Sequence, residues 1–129
     1  MSPDLDSTQS KKILEMGVEF GYDGFVLTNT TRQRPNLDTK EKKVSTIGAG
    51  GLSGQALAAL SLEKLKLART IVGDKPVLVS CGGIMSFKEV VTRFVWGATY
   101  CEVYTGFVYN GPYWVSSLNK QLAQFCRQH

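Results

Sequence analysis

The chain has 129 residues, of which 43% are apolar and 20% are charged. This composition supports one ordinary domain with a hydrophobic core and excludes a disordered tail. The formal net charge is +4, and the one basic cluster, Lys40, Lys42 and Lys43, is interrupted by Glu41. We interpret that cluster as a solvated loop rather than a nucleic-acid patch. No apolar run approaches the roughly 20 residues that a membrane-spanning helix needs.

The cysteine and histidine content narrows the possible chemistry. Cys81, Cys101 and Cys126 are far apart and odd in number, which predicts free thiols in a reducing compartment rather than a disulfide framework. No base or cation flanks Cys81, so we expect it to be a buried small apolar residue. The one histidine is His129, and a histidine-based triad or metal site is therefore not expected.

The first third of the chain predicts a helix, a strand and a long loop. Asp6 or Ser7 can cap a helix that runs to about Phe20. The apolar face of this helix contains Ile13, Leu14, Gly17 and Val18. The nearly continuous apolar run over 24–30 predicts a strand buried on both faces, as in a parallel sheet. Residues 31–55 are polar and glycine-rich, and a loop of this length is usually functional or disordered.

The remainder of the chain continues the alternation of helices and strands. We expect Ser61 to cap a second helix, and Val77–Cys81 to form a second strand that runs into Gly82-Gly83. A third helix follows, since Ser86 and Glu89 have the spacing of a capping box. We then expect a third strand over Thr99–Tyr104 and a last helix with Pro112 at its first position.

The predicted order α-β-α-β-α-β-α indicates a parallel sheet with right-handed crossovers. Three strands cannot close a barrel, because an eight-stranded barrel takes roughly 250 residues. At this stage the chain is either a small open α/β sheet or a piece of a barrel.

Ligands of parallel α/β folds bind at the carboxyl ends of the strands, which makes these ends the candidate site. Gly82 and Gly83 allow the backbone to approach a ligand closely, and their free N–H groups can bind an anion. Tyr104 and Thr105 end the next strand, so the two ends together suggest a phosphate site. The alternative is that the glycine pair is only a tight turn between strand and helix.

Two further segments carry weaker signals. Asn29 ends the first strand, where its amide can bind a planar substrate through donor and acceptor contacts or can simply form a turn. The glycine-rich stretch over 50–54 can contact a ligand or can provide only flexibility. Neither segment decides between these interpretations on its own.

Taken together and in order, the strand ends resemble those of dihydroorotate dehydrogenases, FMN enzymes of pyrimidine biosynthesis. The segments that carry the resemblance are Ser2-Pro3-Asp4-Leu5, Asp23-Gly24, Thr28-Asn29-Thr30-Thr31, Gly50-Gly51-Leu52-Ser53-Gly54, Gly82-Gly83-Ile84, Tyr104-Thr105-Gly106 and Gly111-Pro112. The Thr28–Thr31 segment and Tyr104 are similar to the membrane-associated, quinone-reducing class.

The resemblance implies a fold and a set of binding residues. Residues 1–129 would form the last three strands and helices of a TIM-type (β/α)8 barrel, without its N-terminal half and membrane-associated region. The implied FMN contacts are Thr28, Ser53, Gly54, Gly82, Gly83, Tyr104 and Thr105. The last four of these would surround the phosphate. Asn29 and Thr30 would bind the ring and carboxylate of dihydroorotate or orotate.

The resemblance also implies that no catalytic residue lies in this chain. The family's catalytic Ser has no counterpart, and Met1-Ser2 stands where the family has a Lys near the flavin. The intact enzyme would transfer a hydride from dihydroorotate to FMN, and quinone would reoxidise the flavin through the missing region. We expect this chain alone to be inactive. The implied location is the mitochondrial inner membrane in a eukaryote or the cytoplasmic membrane in a bacterium.

Two other interpretations remain open. The chain can be a non-catalytic flavin- or phosphate-binding half barrel that associates with itself or with a partner through exposed sheet edges. It can also be part of another FMN barrel enzyme, although the ends of the first and third strands argue against this. An open sheet leaves apolar surface in water, so we expect marginal stability, aggregation or dependence on a partner.

Overall fold

Three parallel strands form the centre of the structure, a computed structural model that describes residues 1–34 and 37–128. The strands are β1 (Gly24–Leu27), β2 (Val77–Cys81) and β3 (Tyr100–Glu102). The helices are α1 (Ser7–Glu19), α2 (Glu41–Ile47), α3 (Ala58–Val72), α4 (Phe87–Val95), α5 (Thr105–Asn110) and α6 (Trp114–Gln128), with a 3₁₀ helix over Gly54–Leu57. His129 lies outside the described residues.

The sheet has the order β1-β2-β3, and both strand pairs are parallel, as the alternating pattern predicts. Val26 pairs with Val79, which in turn pairs with Tyr100. Both outer strands are shorter than expected, since β1 ends at Leu27 and β3 ends at Glu102. All three strands nevertheless end at the same edge, which brings their following segments together.

The two faces of the sheet are buried very differently. Leu27 and Leu78 are fully buried in a core that includes Leu14 of α1 and Leu65 of α3. Val26 and its partner Val79, the residues next to these leucines in the two strands, lie on the opposite face, where Val26 is 48% exposed. The expectation that the first strand is buried on both faces is therefore wrong for this chain, because its helices cover only one face.

The first helix begins where the sequence predicts. Asp6 is its N-cap and forms a capping box with Gln9: the Asp6 carboxylate accepts from Gln9 N at 2.7 Å, and Gln9 Oε1 accepts from Asp6 N at 3.1 Å. The expected apolar face is only half buried. Leu14 and Gly17 are buried, whereas Ile13 and Val18 are exposed on the side that faces away from the core.

The sequence predicts that Ser61 caps the second helix, and the structure shows that it does not. The 3₁₀ helix runs directly into α3, so this helix begins at Ala58, and Ser61 lies in its first turn. The Ser61 side chain is fully buried, and its hydroxyl donates to the carbonyl oxygen of Gly82 at 2.7 Å. The residue thus joins α3 to the end of β2.

Half of the predicted capping box of α4 is formed. The Ser86 hydroxyl accepts from Glu89 N at 3.4 Å, as expected for an N-cap. The Glu89 carboxylate instead accepts from Met85 N at 2.7 Å, one residue before the cap. The carboxylate therefore stabilises the turn that connects β2 to α4.

Two helices occupy segments that the sequence had assigned otherwise. Within the 31–55 loop, Glu41–Ile47 forms α2, and a bridge between Thr31 and Leu52 joins the two ends of the loop. After β3, the chain forms α5, which ends at Gly111 with a φ of 82°. Because of this turn, the last helix begins at Trp114 rather than at the predicted Pro112.

The three cysteines are free, as predicted. Cys81 is half-buried, and burial together with the Glu102 carboxylate raises the pKa of its thiol. None of the helices within residues 1–34 and 37–128 has the length and apolar character needed to cross a bilayer.

Candidate functional site

The carboxyl ends of the three strands meet in a pocket of about 280 Å3. All nine residues that the sequence indicated as binding residues line it, namely Thr28, Asn29, Thr30, Ser53, Gly54, Gly82, Gly83, Tyr104 and Thr105. They come from positions up to 77 apart in the sequence, from Thr28 to Thr105. The parallel topology brings them together, because it places every strand end at one edge.

Thr28 follows β1 and is the most deeply buried polar residue of this lining. Its N–H donates to the carbonyl oxygen of Cys81 at 2.7 Å, which fixes it beside β2. The side chain is 3% exposed, and Oγ1 has no hydrogen-bond partner among the described residues. A buried hydroxyl without a partner is unfavourable, so this atom is suited to a ligand that supplies one.

Asn29 and Thr30 are exposed at the mouth of the pocket. Asn29 Oδ1 accepts from Thr30 N at 2.7 Å, and Asn29 N donates to the carbonyl oxygen of Met1 at 2.9 Å. The Asn29 side chain therefore contacts the backbone of the next residue. Its amide nitrogen has no protein acceptor within the part of the chain that the structure describes.

Asp4 anchors the segment that follows β1. Its carboxylate accepts from the Thr31 hydroxyl and from Arg32 N, the latter at 2.8 Å. These hydrogen bonds, with that from Arg32 N the larger influence, lower the pKa of Asp4. Sequence reasoning used Asp4 only as part of a motif, whereas the structure shows that it holds the turn carrying two predicted substrate residues.

Gly82 and Gly83 form a turn that only glycine fits. Their φ angles are 101° and 74°, in the region that side chains rarely adopt. A Cβ on Gly82 would approach Leu57 Cδ2 to 2.7 Å, and one on Gly83 would approach Ala58 Cβ to 2.7 Å. The tight-turn interpretation is therefore correct, and it is compatible with ligand binding, since no described residue accepts from Gly83 N–H.

The third side of the pocket joins the end of the long loop to the end of β3. The Thr105 hydroxyl donates to Ser53 Oγ at 2.9 Å, and Gly54 lies against the Thr105 side chain. Tyr104 also lines the pocket, and its side chain is 79% exposed. Hydroxyls and backbone groups dominate this side.

The charges around the pocket are unusual for an anion site. Within the described lining, Glu102 is the only charged side chain. One cation lies behind the glycine turn: Arg93 of α4 is 2% exposed, and its Nη2 donates to the carbonyl oxygen of Gly82 at 3.3 Å. Burial lowers the pKa of Arg93, but a guanidinium remains protonated at neutral pH.

Sequence reasoning missed Arg93, although one signal was present. It follows Val90 by three residues on the apolar stripe of α4, where a charged residue is rarely found unless it has polar partners.

Groups of three or more His, Cys, Asp or Glu side chains able to hold a metal ion do not occur among the described residues.

Comparisons with known proteins identify the family of the chain. The family model for dihydroorotate dehydrogenase matches residues 1–126. The dihydroorotate dehydrogenase (quinone) of Rhodococcus opacus (strain B4) is 41% identical over 128 residues, and the match covers 99% of this chain but 36% of that protein. The corresponding enzyme of Nocardia farcinica (strain IFM 10152) is 39% identical, with 99% and 35% covered.

Solved structures show the same relationship in three dimensions. Ligand-free dihydroorotate dehydrogenase from Eimeria tenella superposes with a TM-score of 0.88 at 31% identity, covering 99% of this chain and 35% of that chain. The same enzyme in complex with ferulenol gives a TM-score of 0.86. This chain spans about a third of the length of the relatives that it matches. Its open three-stranded sheet is part of a TIM-type barrel, and the chain belongs to the dihydroorotate dehydrogenase family.

Proposed function

We propose that this chain provides the FMN site and part of the dihydroorotate pocket of a quinone-reducing dihydroorotate dehydrogenase. The observation that carries the proposal is the convergence of nine predicted binding residues from four segments into one pocket. Relatives named dihydroorotate dehydrogenase (quinone) support the reaction, since two of them are 41% and 39% identical to this chain.

The pocket fits FMN in three respects. The unpartnered Thr28 hydroxyl supplies a polar contact in an otherwise apolar interior. Gly82 and Gly83 let a phosphate approach the backbone, and N–H groups bind phosphate well where they converge. Tyr104 and Thr105 complete this phosphate subsite from the end of β3. When bound, FMN supplies the two-electron chemistry that connects dihydroorotate oxidation to quinone reduction.

Asn29 and Thr30 form the substrate side of the proposed pocket. Asn29 has an amide nitrogen without a described acceptor that can donate to a carbonyl or carboxylate of dihydroorotate, while Oδ1 accepts from Thr30 N. The Thr30 hydroxyl donates to Asn29 Oδ1 at 3.4 Å, and rotation of this hydroxyl would let it donate to the substrate instead. Both side chains are exposed here, at the edge where the remaining part of the barrel would close the pocket.

Cys81 and Glu102 are two acid–base side chains among the described pocket residues, and the Glu102 carboxylate interacts with the Cys81 thiol. The pKa of Cys81 is raised by burial and by Glu102, so its thiol is protonated at neutral pH. We therefore propose that the proton leaving the substrate carbon is taken by a Ser outside this chain, as the family resemblance implies. It follows that the chain alone does not oxidise dihydroorotate, even with FMN and a quinone or dye present.

The proposed partners are dihydroorotate or orotate and a quinone that reacts through the remaining part of the enzyme. Curated relatives from Rhodococcus and Nocardia are bacterial, which favours the cytoplasmic membrane over the mitochondrial inner membrane. Contact with that membrane would be made by a region outside these residues.

An FMN titration of the 129-residue chain, followed by flavin fluorescence, tests the proposal. We expect saturable binding that weakens about tenfold in Thr105→Val, because this change removes the hydroxyl that holds Ser53 Oγ beside the proposed phosphate subsite. Thr70→Val is the matched control, since this exposed threonine lies on α3 and donates to Lys66 O. Absence of binding by a chain shown to be folded by circular dichroism would contradict a self-sufficient phosphate subsite.

One observation favours the second candidate, a half barrel that associates through its sheet. Val26 is 48% exposed and Tyr100 is 62% exposed on the open face, and both lie on edge strands. Unpaired edges and apolar faces promote association. Light scattering across a range of concentrations tests it: a chain that remains monomeric throughout would contradict self-association, and Val26→Lys should weaken any dimer.

A further inference from the structure

Arg93 is a buried cation that forms no salt bridge with the described residues, although the Glu89 carboxylate on the same helix acts on it from farther away. It extends from α4 towards the turn that ends β2, and its Nη2 donates to Ala58 O at 2.9 Å, to Ser61 Oγ at 2.9 Å and to Gly82 O at 3.3 Å. All three acceptors are neutral. The one ion pair among the described residues joins Lys11 to Glu15, and Arg93 Nη1 has no partner there. Buried charges are normally paired in direct contact, so the unpartnered Nη1 beside the glycine turn favours an anionic ligand nearby.

The same contacts fix the direction of the Gly82–Gly83 peptide. This peptide bond is trans, so its C=O and N–H groups point in opposite directions. The Gly82 carbonyl oxygen is directed away from the pocket, towards Arg93 and the Ser61 hydroxyl, which donates to it at 2.7 Å. The Gly83 N–H is consequently directed towards the pocket that both glycines line.

We propose that Arg93 is a positioning residue for the phosphate of the bound flavin. It holds the Gly82 carbonyl so that Gly83 N–H faces the phosphate, and its positive charge lies directly behind that peptide. The inference rests on the proposed FMN site and adds to it the charge that the lining itself lacks, because Glu102 is the only charged lining side chain among the described residues. A phosphate dianion is thereby compensated without a lysine or arginine in direct contact with it.

Arg69 provides a matched control at the opposite end of the sheet. Its guanidinium donates to the carbonyl oxygens of Gly73 and Gly97, which precede β2 and β3. Arg69 thus also fixes two glycine carbonyls, but it does so far from the strand ends that form the pocket. A loss of structure alone should affect Arg69 and Arg93 variants alike, whereas a phosphate effect should be confined to Arg93.

The experiment compares FMN with riboflavin, which lacks the phosphate, on the full 129-residue chain. We expect Arg93→Gln to weaken FMN binding about tenfold, as for one lost charge-assisted hydrogen bond, and to leave riboflavin binding unchanged. Arg93→Lys keeps the charge and should restore most of the FMN affinity, and Arg69→Gln should alter neither affinity. Equal losses for both flavins, or an unchanged FMN affinity in Arg93→Gln, would overturn the inference.

A second readout separates failure of this inference from failure of the FMN proposal. In NMR titrations with inorganic phosphate, the Gly83 amide of the wild-type chain should shift, and the shift should be lost in Arg93→Gln. A shift that persists in the variant overturns the role of Arg93 alone, whereas a wild-type chain that responds to neither FMN nor phosphate overturns both. If Arg93→Gln does not fold, Ser61→Ala removes the other donor to Gly82 O and should selectively weaken FMN binding about threefold.

Discussion

Replacing Thr28 by Val should stabilise the ligand-free chain and at the same time weaken flavin binding. Thr28 is 3% exposed, and its Oγ1 has no partner among the described residues, so the hydroxyl is buried at a cost of about 1–3 kcal/mol. Valine has nearly the same shape and leaves the packing in place. We expect the free energy of unfolding to rise by about 1–2 kcal/mol, which corresponds to a melting temperature about 3–6 °C higher.

The same substitution removes the atom that we propose to contact FMN, so the flavin affinity should fall about fivefold. Urea denaturation and FMN titration of the same two samples measure both effects. Ser80→Ala is the control, because Ser80 Oγ is likewise buried without a described partner but does not line the pocket. It should change stability without changing FMN affinity. A Thr28→Val chain that is less stable, or that binds FMN as tightly as wild type, would refute this reasoning.

Three further substitutions or measurements test the structure. Gly83→Ala should lower the free energy of unfolding by about 2–5 kcal/mol, because the φ of 74° and the contact with α3 both oppose a Cβ. Gly111 has a similar φ of 82° but open space around it, so Gly111→Ala should lower the free energy of unfolding by only about 1–2 kcal/mol in the same urea series. The pKa of Asp4 lies below its ordinary value of 3.8, so the stabilising contribution of Asp4 is present above pH 3.8 and is lost as the pH falls through the folded pKa. In an acid titration, Asp4→Asn should therefore lose stability less steeply than wild type, and parallel curves would contradict this. Burial raises the pKa of Cys101 to about 11, so mass spectrometry after alkylation at neutral pH should find exposed Cys126 modified well before Cys101, and equal rates would contradict the buried position.

The order of the main elements could be predicted because each has a strong local signal, whereas two helices lacked one. The α2 segment has no buried residue, so it carries no apolar periodicity to detect. The α5 segment contains Phe107, Val108 and Tyr109, which favour a strand by composition, and the sequence analysis assigned no helix to it. Its helical form depends on the turn at Gly111 and on packing against α6.

The extent of burial was the least predictable part of the fold. An apolar run such as Gly24–Leu27 shows that both faces of a strand are suited to burial, but it does not show what covers them. In this chain the helices cover one face, and Val26 on the other remains about half exposed. The strand ends, in contrast, were predictable because parallel topology alone determines where they meet.

The glycine turn shows why the functional and structural interpretations of a motif need not compete. Gly83 is required by the close approach of Ala58, and the same tight turn leaves its N–H directed at the pocket while Arg93 holds the preceding carbonyl. A bulky residue at position 83 would disrupt the packing against α3 before it reached any phosphate. Loss of FMN binding in such a variant would therefore not identify a phosphate site, whereas Thr28, Thr105 and Arg93 variants, which leave the turn free of new clashes, separate binding from folding.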